Sequence, residues 1–170
     1  QEAFINALSE KLDKVVVGNP ETEGVTMGAL VSHDQLAEVR RRIADLKFAG
    51  ARIVYGDPAH CEVTGADAET GAFIAPVLLA SDKPFENPEL HSIEAFGPVA
   101  TVMPYGDTDE AIALARLGGG SLVGSLVTYD HDFARAVVMG CAPYHGRLLV
   151  LDRDCSKEST GHGSPMPMLV

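Results

Sequence analysis

Apolar positions open the chain at helical spacing. Phe4, Ala7, Leu8, Leu12 and Val15 recur every three or four residues, the period of one helix face, and Gly18-Asn19-Pro20 ends the run. A second such face is carried by Leu36, Val39, Ile43 and Leu46. Ser32 with Gln35 forms a capping-box pattern ahead of it, and Gly50 supplies a stop. The pattern then shortens. Residues 51–56 are rich in β-formers, 57–71 form a loop containing Gly65, Asp67 and Gly71, and 72–80 read as an extended stretch bent at Pro76, since proline cannot donate to a central ladder. Strands are predicted at 98–105, 121–129 and 146–151. Helices are predicted at 109–117, capped by Asp107 and Glu110, and at 132–139.

From residue 98 onward the order is therefore strand, helix, strand, helix, strand. Parallel strands need crossovers and helices supply them, so the expected fold is α/β, a largely parallel sheet with helices on both faces. Val- and Leu-rich strands agree with burial on both sides. Ligands in such sheets sit beyond the carboxyl ends of the strands.

Composition narrows the function. A chain of 170 residues with 46% hydrophobic content buries one ordinary core. A net charge of −11 and a pI near 4.8 set nucleic acid and anionic membranes against long-range repulsion. No stretch approaches the run of about 20 apolar residues that a membrane span needs, and the amino-terminal residues do not resemble a signal peptide. A cytoplasmic protein is expected. Cys61, Cys141 and Cys155 are an odd number at wide spacing without a C-x-x-C pair, so neither a disulfide framework nor a zinc site is indicated. The six histidines include no H-E-x-x-H and no helix-spaced pair, and no metal is expected.

Three features invite chemistry. Gly118-Gly119-Gly120 leaves a helix and enters a strand, the reverse of a phosphate loop, and reads as a helix stop with room for close packing. Cys155 has Arg153 and Lys157 nearby to stabilise a thiolate, but Asp152, Asp154 and Glu158 oppose them, so an ordinary loop thiol is favoured. His91 and His162 each lie in loops, the latter among small residues that allow close approach to a ligand and equally suit a solvated loop.

The segment HSIEAFGP (91–98) poses a sharper question, because Glu94 sits among apolar neighbours at the mouth of a strand and looks buried. Together with its surroundings it carries a resemblance. VVVGNP (15–20), GVTMGALVSHDQLAEV (24–39), GARIVYGD (50–57), GAFIAPVLLA (71–80), IEAFGPVATVMPYGDTDEAIALA (93–115) and GSLVGSLVTYD (120–130) follow one another as do the corresponding blocks of NAD(P)-dependent aldehyde dehydrogenases. The chain thus resembles the carboxyl-terminal part of that family's catalytic domain, all of residues 1–170 being part of that single domain and incomplete at its amino-terminal side.

The resemblance implies roles. In the family's E-E-x-F-G-P motif the second Glu binds a nicotinamide-ribose hydroxyl and the Phe packs near that end of the cofactor, which by position are Glu94 and Phe96. A carboxylate accepts from hydroxyls, and an aromatic face fills the apolar gap beside a planar ring. The structural alternative is that Glu94 caps or salt-bridges a loop and Phe96 is core. Three departures stand out. Ile93 replaces the first Glu, Gly28-Ala29-Leu30 replaces G-P-L, and Asp152 replaces an Asn, altering support of the following loop. Residues 159–167 stand where the family lines its aldehyde channel, so Gly161, His162 and Gly163 are the expected substrate-pocket residues. That stretch resembles the aldehyde dehydrogenase domains of bifunctional ring-opening proteins in bacterial phenylacetate catabolism, whose substrate is a CoA-linked semialdehyde and whose oxidant is usually NADP.

The family mechanism uses a cysteine in a G-Q-x-C setting as nucleophile, hydride transfer to the nicotinamide, and a glutamate that activates water. None of these catalytic groups lies in this chain, so residues 1–170 are expected to be inactive alone. The full-length parent is expected to use NADP or NAD, to act on an aldehyde and to form a homo-oligomer. A non-catalytic binding or assembly module that kept the dehydrogenase fold is the alternative. An exposed apolar surface would mark the first reading, a polar replacement the second.

Overall fold

The computed structural model describes residues 1–155, which fall into two compact units, Gln1–Pro104 and a second from Tyr105 onward. Gly161, His162 and Gly163 lie outside the described residues.

In the first unit, helix α1 spans Glu2–Leu12 and α2 spans His33–Phe48. Strand β1 is Arg52–Tyr55, β2 is Val77–Ala80, and β3 is Val99–Val102, with a 3-10 turn at Pro88–His91 that the sequence pattern did not signal. Helix α1 ends earlier than its apolar spacing predicts. Asp13 caps it, and Val17 pairs instead with Met27. Three consecutive β-branched valines at 15–17 favour extended backbone over another helical turn.

Strand β2 organises this unit. It pairs antiparallel with β1 and parallel with β3. Successive side chains of a strand point to opposite faces. Val77 and Leu79 accordingly join Leu36, Val39, Ile43 and Leu46 of α2, while Leu78 and Ala80 join Ile5, Leu8 and Leu12 of α1. All four β2 residues are buried, as an uninterrupted apolar run on a two-sided strand requires. The antiparallel β1–β2 pair has its own cause, since only the loop, and no crossover helix, connects the two strands.

Helix α2 is held at both ends. Ser32 Oγ accepts from the Gln35 backbone N–H at 3.1 Å. At the other end Gly50, at φ +102°, lets its own N–H reach Lys47 and that of Ala51 reach Leu46. Ser32→Ala is expected to cost about 1 kcal/mol in urea unfolding. Ser32→Asp should restore it, and an unchanged Ser32→Ala midpoint would show that the cap contributes nothing.

The second unit contains α3 (Thr108–Leu117), β4 (Ser121–Val127), α4 (His131–Cys141), a 3-10 turn at Ala142–Tyr144 and β5 (His145–Leu151). Strands β4 and β5 are parallel, with α4 as the crossover between them. Asp107 caps α3 through the Glu110 N–H, and Glu110 Oε2 accepts from Gly106 N–H rather than from the capping residue, a box displaced by one position. The glycine cluster does stop α3, but close packing is not its reason. A Cβ at Gly119 or Gly120 would meet nothing within 4 Å, whereas their φ angles of +69° and +140° disfavour other residues. Among the described residues of this unit only Cys141 is buried.

Candidate functional site

The segment from Ile93 to Pro98 leads directly into β3 and alternates its side chains between core and solvent. Ile93 packs against the α2 cluster. An acid at that position would have to leave the core, which accounts for an apolar residue where the motif has its first Glu. Glu94 is exposed, contrary to the buried look of its sequence context. Phe96 is 70% exposed, which removes it from the core as well. Among the described residues no hydrogen bond or ion pair involves the Glu94 carboxylate.

Three contacts immobilise the backbone beneath these two side chains. Gln35 Nε2 donates to the Phe96 carbonyl oxygen at 2.6 Å. Gly97 lies so close to α2 that an added Cβ would sit 2.8 Å from Val39 Cγ2, a distance real Cβ atoms do not tolerate. The Pro98 carbonyl accepts from Val77 N–H at 2.9 Å, joining the segment to the start of β2. Between these points the chain turns tightly, with Gly97 N–H on Ala95 O and Val99 N–H on Gly97 O, both 2.8 Å. A carboxylate, which accepts hydrogen bonds, and an aromatic ring, which offers an apolar face, thus project from a fixed turn at the mouth of a strand. An apolar groove of about 520 Å³ runs beside this turn, lined by Leu12, Met27, Leu78, Gly97, Pro98 and Val99 among others.

The role of Gln35 was not legible in the sequence. It reads there as the reciprocal half of a capping box, but its side chain turns away from Ser32 and toward Phe96. The one available signal is its spacing, four residues before Val39, which puts both on one side of α2.

The remaining candidates have structural partners. His91 Nε2 lies 2.8 Å from the Pro84 carbonyl oxygen, tying down the loop before the 3-10 turn. Burial pushes the Cys61 and Cys141 thiols up, away from the thiolate a nucleophile needs. Cys155 closes a local turn. Asp152 Oδ1 accepts from the backbone N–H groups of Asp154 and Cys155, both at 2.9 Å, and the Cys155 thiol donates to the Asp152 carbonyl. The Cys155 N–H above all holds the Asp152 carboxyl below the usual carboxylate range, so aspartate organises this turn where the family pattern has Asn. No group of three His, Cys, Asp or Glu among the described residues is placed to hold a metal ion, and no described helix is long and apolar enough to cross a membrane.

Comparison with known proteins places this site in context. The chain matches the Aldehyde dehydrogenase family over residues 1–142. It is 47% identical over 144 residues to Protein MaoC of Klebsiella aerogenes, covering 85% of this chain and 41% of that protein. It is 43% identical over 165 residues to the 3,4-dehydroadipyl-CoA semialdehyde dehydrogenase of Aromatoleum evansii, covering 97% of this chain and 32% of that one. The chain therefore spans about a third of the length of one of these relatives and about two fifths of the other. Among solved structures, the betaine aldehyde dehydrogenase of Staphylococcus aureus in complex with NAD+ superposes with a TM-score of 0.77 at 24% identity, over 88% of this chain and 28% of that one, a likeness of fold. With residues 1–142 matched to its model, the chain belongs to the aldehyde dehydrogenase family.

Proposed function

We propose that residues 1–170 are part of the catalytic domain of an NAD(P)-dependent aldehyde dehydrogenase that oxidises an aldehyde to a carboxylic acid. The observation that carries the reading is the anchored turn presenting Glu94 and Phe96 to solvent. Glu94 accepts hydrogen bonds from the nicotinamide-ribose hydroxyls, and Phe96 covers the apolar side of the same end of the cofactor. A nicotinamide cofactor held there would supply the hydride acceptor. This chain's part is to bind and orient it, while the nucleophilic cysteine and the general base belong to residues outside 1–170.

A CoA-linked semialdehyde is the proposed substrate class, supported by the relative whose name specifies one and which matches 97% of the chain. Gly161, His162 and Gly163 are the proposed pocket residues for it. Apolar exposure supports a larger parent over a separate binding module. Phe48 is 97% and Val31 90% exposed in the first unit, and Leu122, Val127 and Met139 are exposed in the second. Exposed apolar side chains of this kind suit a surface that further protein covers. We place the parent in the cytoplasm, a reducing compartment that suits three unpaired cysteines, and take it to be a homo-oligomer on the family resemblance.

The test is aldehyde-dependent NAD(P) reduction. The complete reading frame around residues 1–170 should turn over a CoA-linked semialdehyde faster than the same aldehyde without CoA, and residues 1–170 alone should be silent. Activity in residues 1–170 alone, lost in Cys155→Ala, would overturn the assignment of the nucleophile to other residues.

A further inference from the structure

We propose that the cavity at the carboxyl end of α2 is a docking site for an arginine side chain presented by a partner protein. The inference is independent of the cofactor reading. It starts from the exposed apolar surface around Phe48 and specifies one occupant for it.

The cavity holds about 410 Å³ and lies between the end of α2 and the 3-10 turn at Pro88–His91. Asp45 and Phe48 line it from the helix, Asn87 and Glu89 from the turn, and Gly50 and Ile93 complete the wall. Its volume falls within the range of ligand pockets, about 300–1,000 Å³. The wall is held before anything binds. Ile93 packs against the α2 cluster, Leu90 of the turn is buried, and the Asn87 amide donates to Lys83 O at 3.3 Å. Gly50, at φ +102°, brings the helix end so near the turn that an added Cβ would sit 3.0 Å from Asn87 Nδ2.

Three features of this cavity favour the same ligand. The Phe48 ring is 97% exposed and offers an aromatic face to a partner. Among the described residues no hydrogen bond or ion pair involves the Glu89 carboxylate, and Asp45 meets Arg42 only at 3.5 Å. The carboxyl end of a helix adds partial negative charge. A flat cation satisfies all three at once, and guanidinium is that group. It stacks on aromatic rings, is more weakly hydrated than ammonium, and can spread its donors over more than one carboxylate.

Other occupants fit less well. An uncharged apolar partner would cover Phe48 but leave both carboxylates away from water without a cation. A phosphate-bearing partner would meet those two charges as repulsion, and the net charge of −11 steers basic segments toward this chain instead. A free small cation would be poorly enclosed beside so exposed a ring, since bound small molecules bury most of their surface. A polypeptide that carries the arginine also covers the ring.

The test uses the complete reading frame and a dye-labelled hexa-arginine peptide as probe, followed by fluorescence anisotropy. Phe48→Ala and Glu89→Gln should each weaken binding about three- to tenfold, the loss of one partly desolvated cation–π or charge contact. Phe48→Tyr, which keeps the ring, should bind as wild type does, and hexa-lysine should bind more weakly than hexa-arginine. Glu10→Gln removes the same charge from α1, on the other face of the sheet, and should change binding less than twofold. Phe48→Ala should leave the melting temperature and aldehyde-dependent NAD(P) reduction unchanged, so a failed dehydrogenase reading and a failed docking site give different results. Equal losses in Glu10→Gln and Glu89→Gln, or none in Phe48→Ala, would reduce the binding to diffuse charge attraction and overturn the proposal. So would equal binding of an uncharged leucine-containing peptide, which makes the surface simply apolar. A wild-type protein that binds no probe, or a Phe48→Ala variant with a changed oligomeric state, would overturn it in favour of a surface covered by the parent's own residues or by a second copy.

Discussion

Glu94→Ala should weaken NAD(P) binding by roughly 10- to 100-fold in the complete enzyme, read as a rise in cofactor KM with the aldehyde KM little changed. The size follows from the kind of bond lost. A hydrogen bond to a charged acceptor is about twice as strong as one between neutral groups, and losing it typically costs one to two powers of ten in binding. Little of this should come from folding, because Glu94 is exposed and makes no hydrogen bond or ion pair among the described residues. Glu94→Gln keeps one neutral acceptor and should fall between wild type and Glu94→Ala. Phe96→Ala should act in the same direction through lost apolar contact. A melting temperature lowered in Glu94→Ala, with cofactor KM unmoved, would assign Glu94 to the fold instead.

Leu79→Ala should be among the most destabilising single changes in the first unit, costing about 3–5 kcal/mol in urea unfolding. Leu79 is 0% exposed, lies on the central strand and faces Val39 and Ile43 across the α2 interface. Its neighbours on β2 are themselves covered on both faces, so the surroundings cannot collapse readily into the space left behind. Val31→Ala, at a position 90% exposed, should move the midpoint by less than about 0.5 kcal/mol. Similar shifts in the two variants would mean that β2 is not the centre of this core. The same change tests the site indirectly, because Val39 and β2 both brace the turn that presents Phe96.

The elements that were legible in the sequence share one property: their signals are local. Ser32 and Asp107 announce helix starts because a side-chain oxygen reaches a backbone N–H three residues on, and both do so here. The four apolar positions of α2 recur at the period of the helix, and all four are buried. Where the reading erred, a nonlocal contact or a competing backbone preference decided the outcome. Helix α1 stops at Leu12 because the following valines pair elsewhere. Gln35 abandons its capping role because Phe96 O lies within reach. Glu94 looked buried because its sequence neighbours are apolar, but alternation along extended backbone turns Ile93 inward and Glu94 outward.

For the proposed site, the sequence by itself determined the residue types on which the reading rests. A Glu, a Phe, a Gly and a Pro at fixed spacing specify an acceptor, an aromatic face and a sharp turn, and those identities do not depend on how the chain folds. The tertiary structure alone decided that these groups face outward from a held backbone. It placed Val39 against Gly97, Gln35 on Phe96 O and Val77 on Pro98 O, from elements about 20 to 60 residues away in sequence. The physical reason is range. Capping, helical period and turn chemistry act over a few residues, whereas orienting a carboxylate and a ring toward one ligand requires a backbone held from several sides, which only packing between distant segments provides.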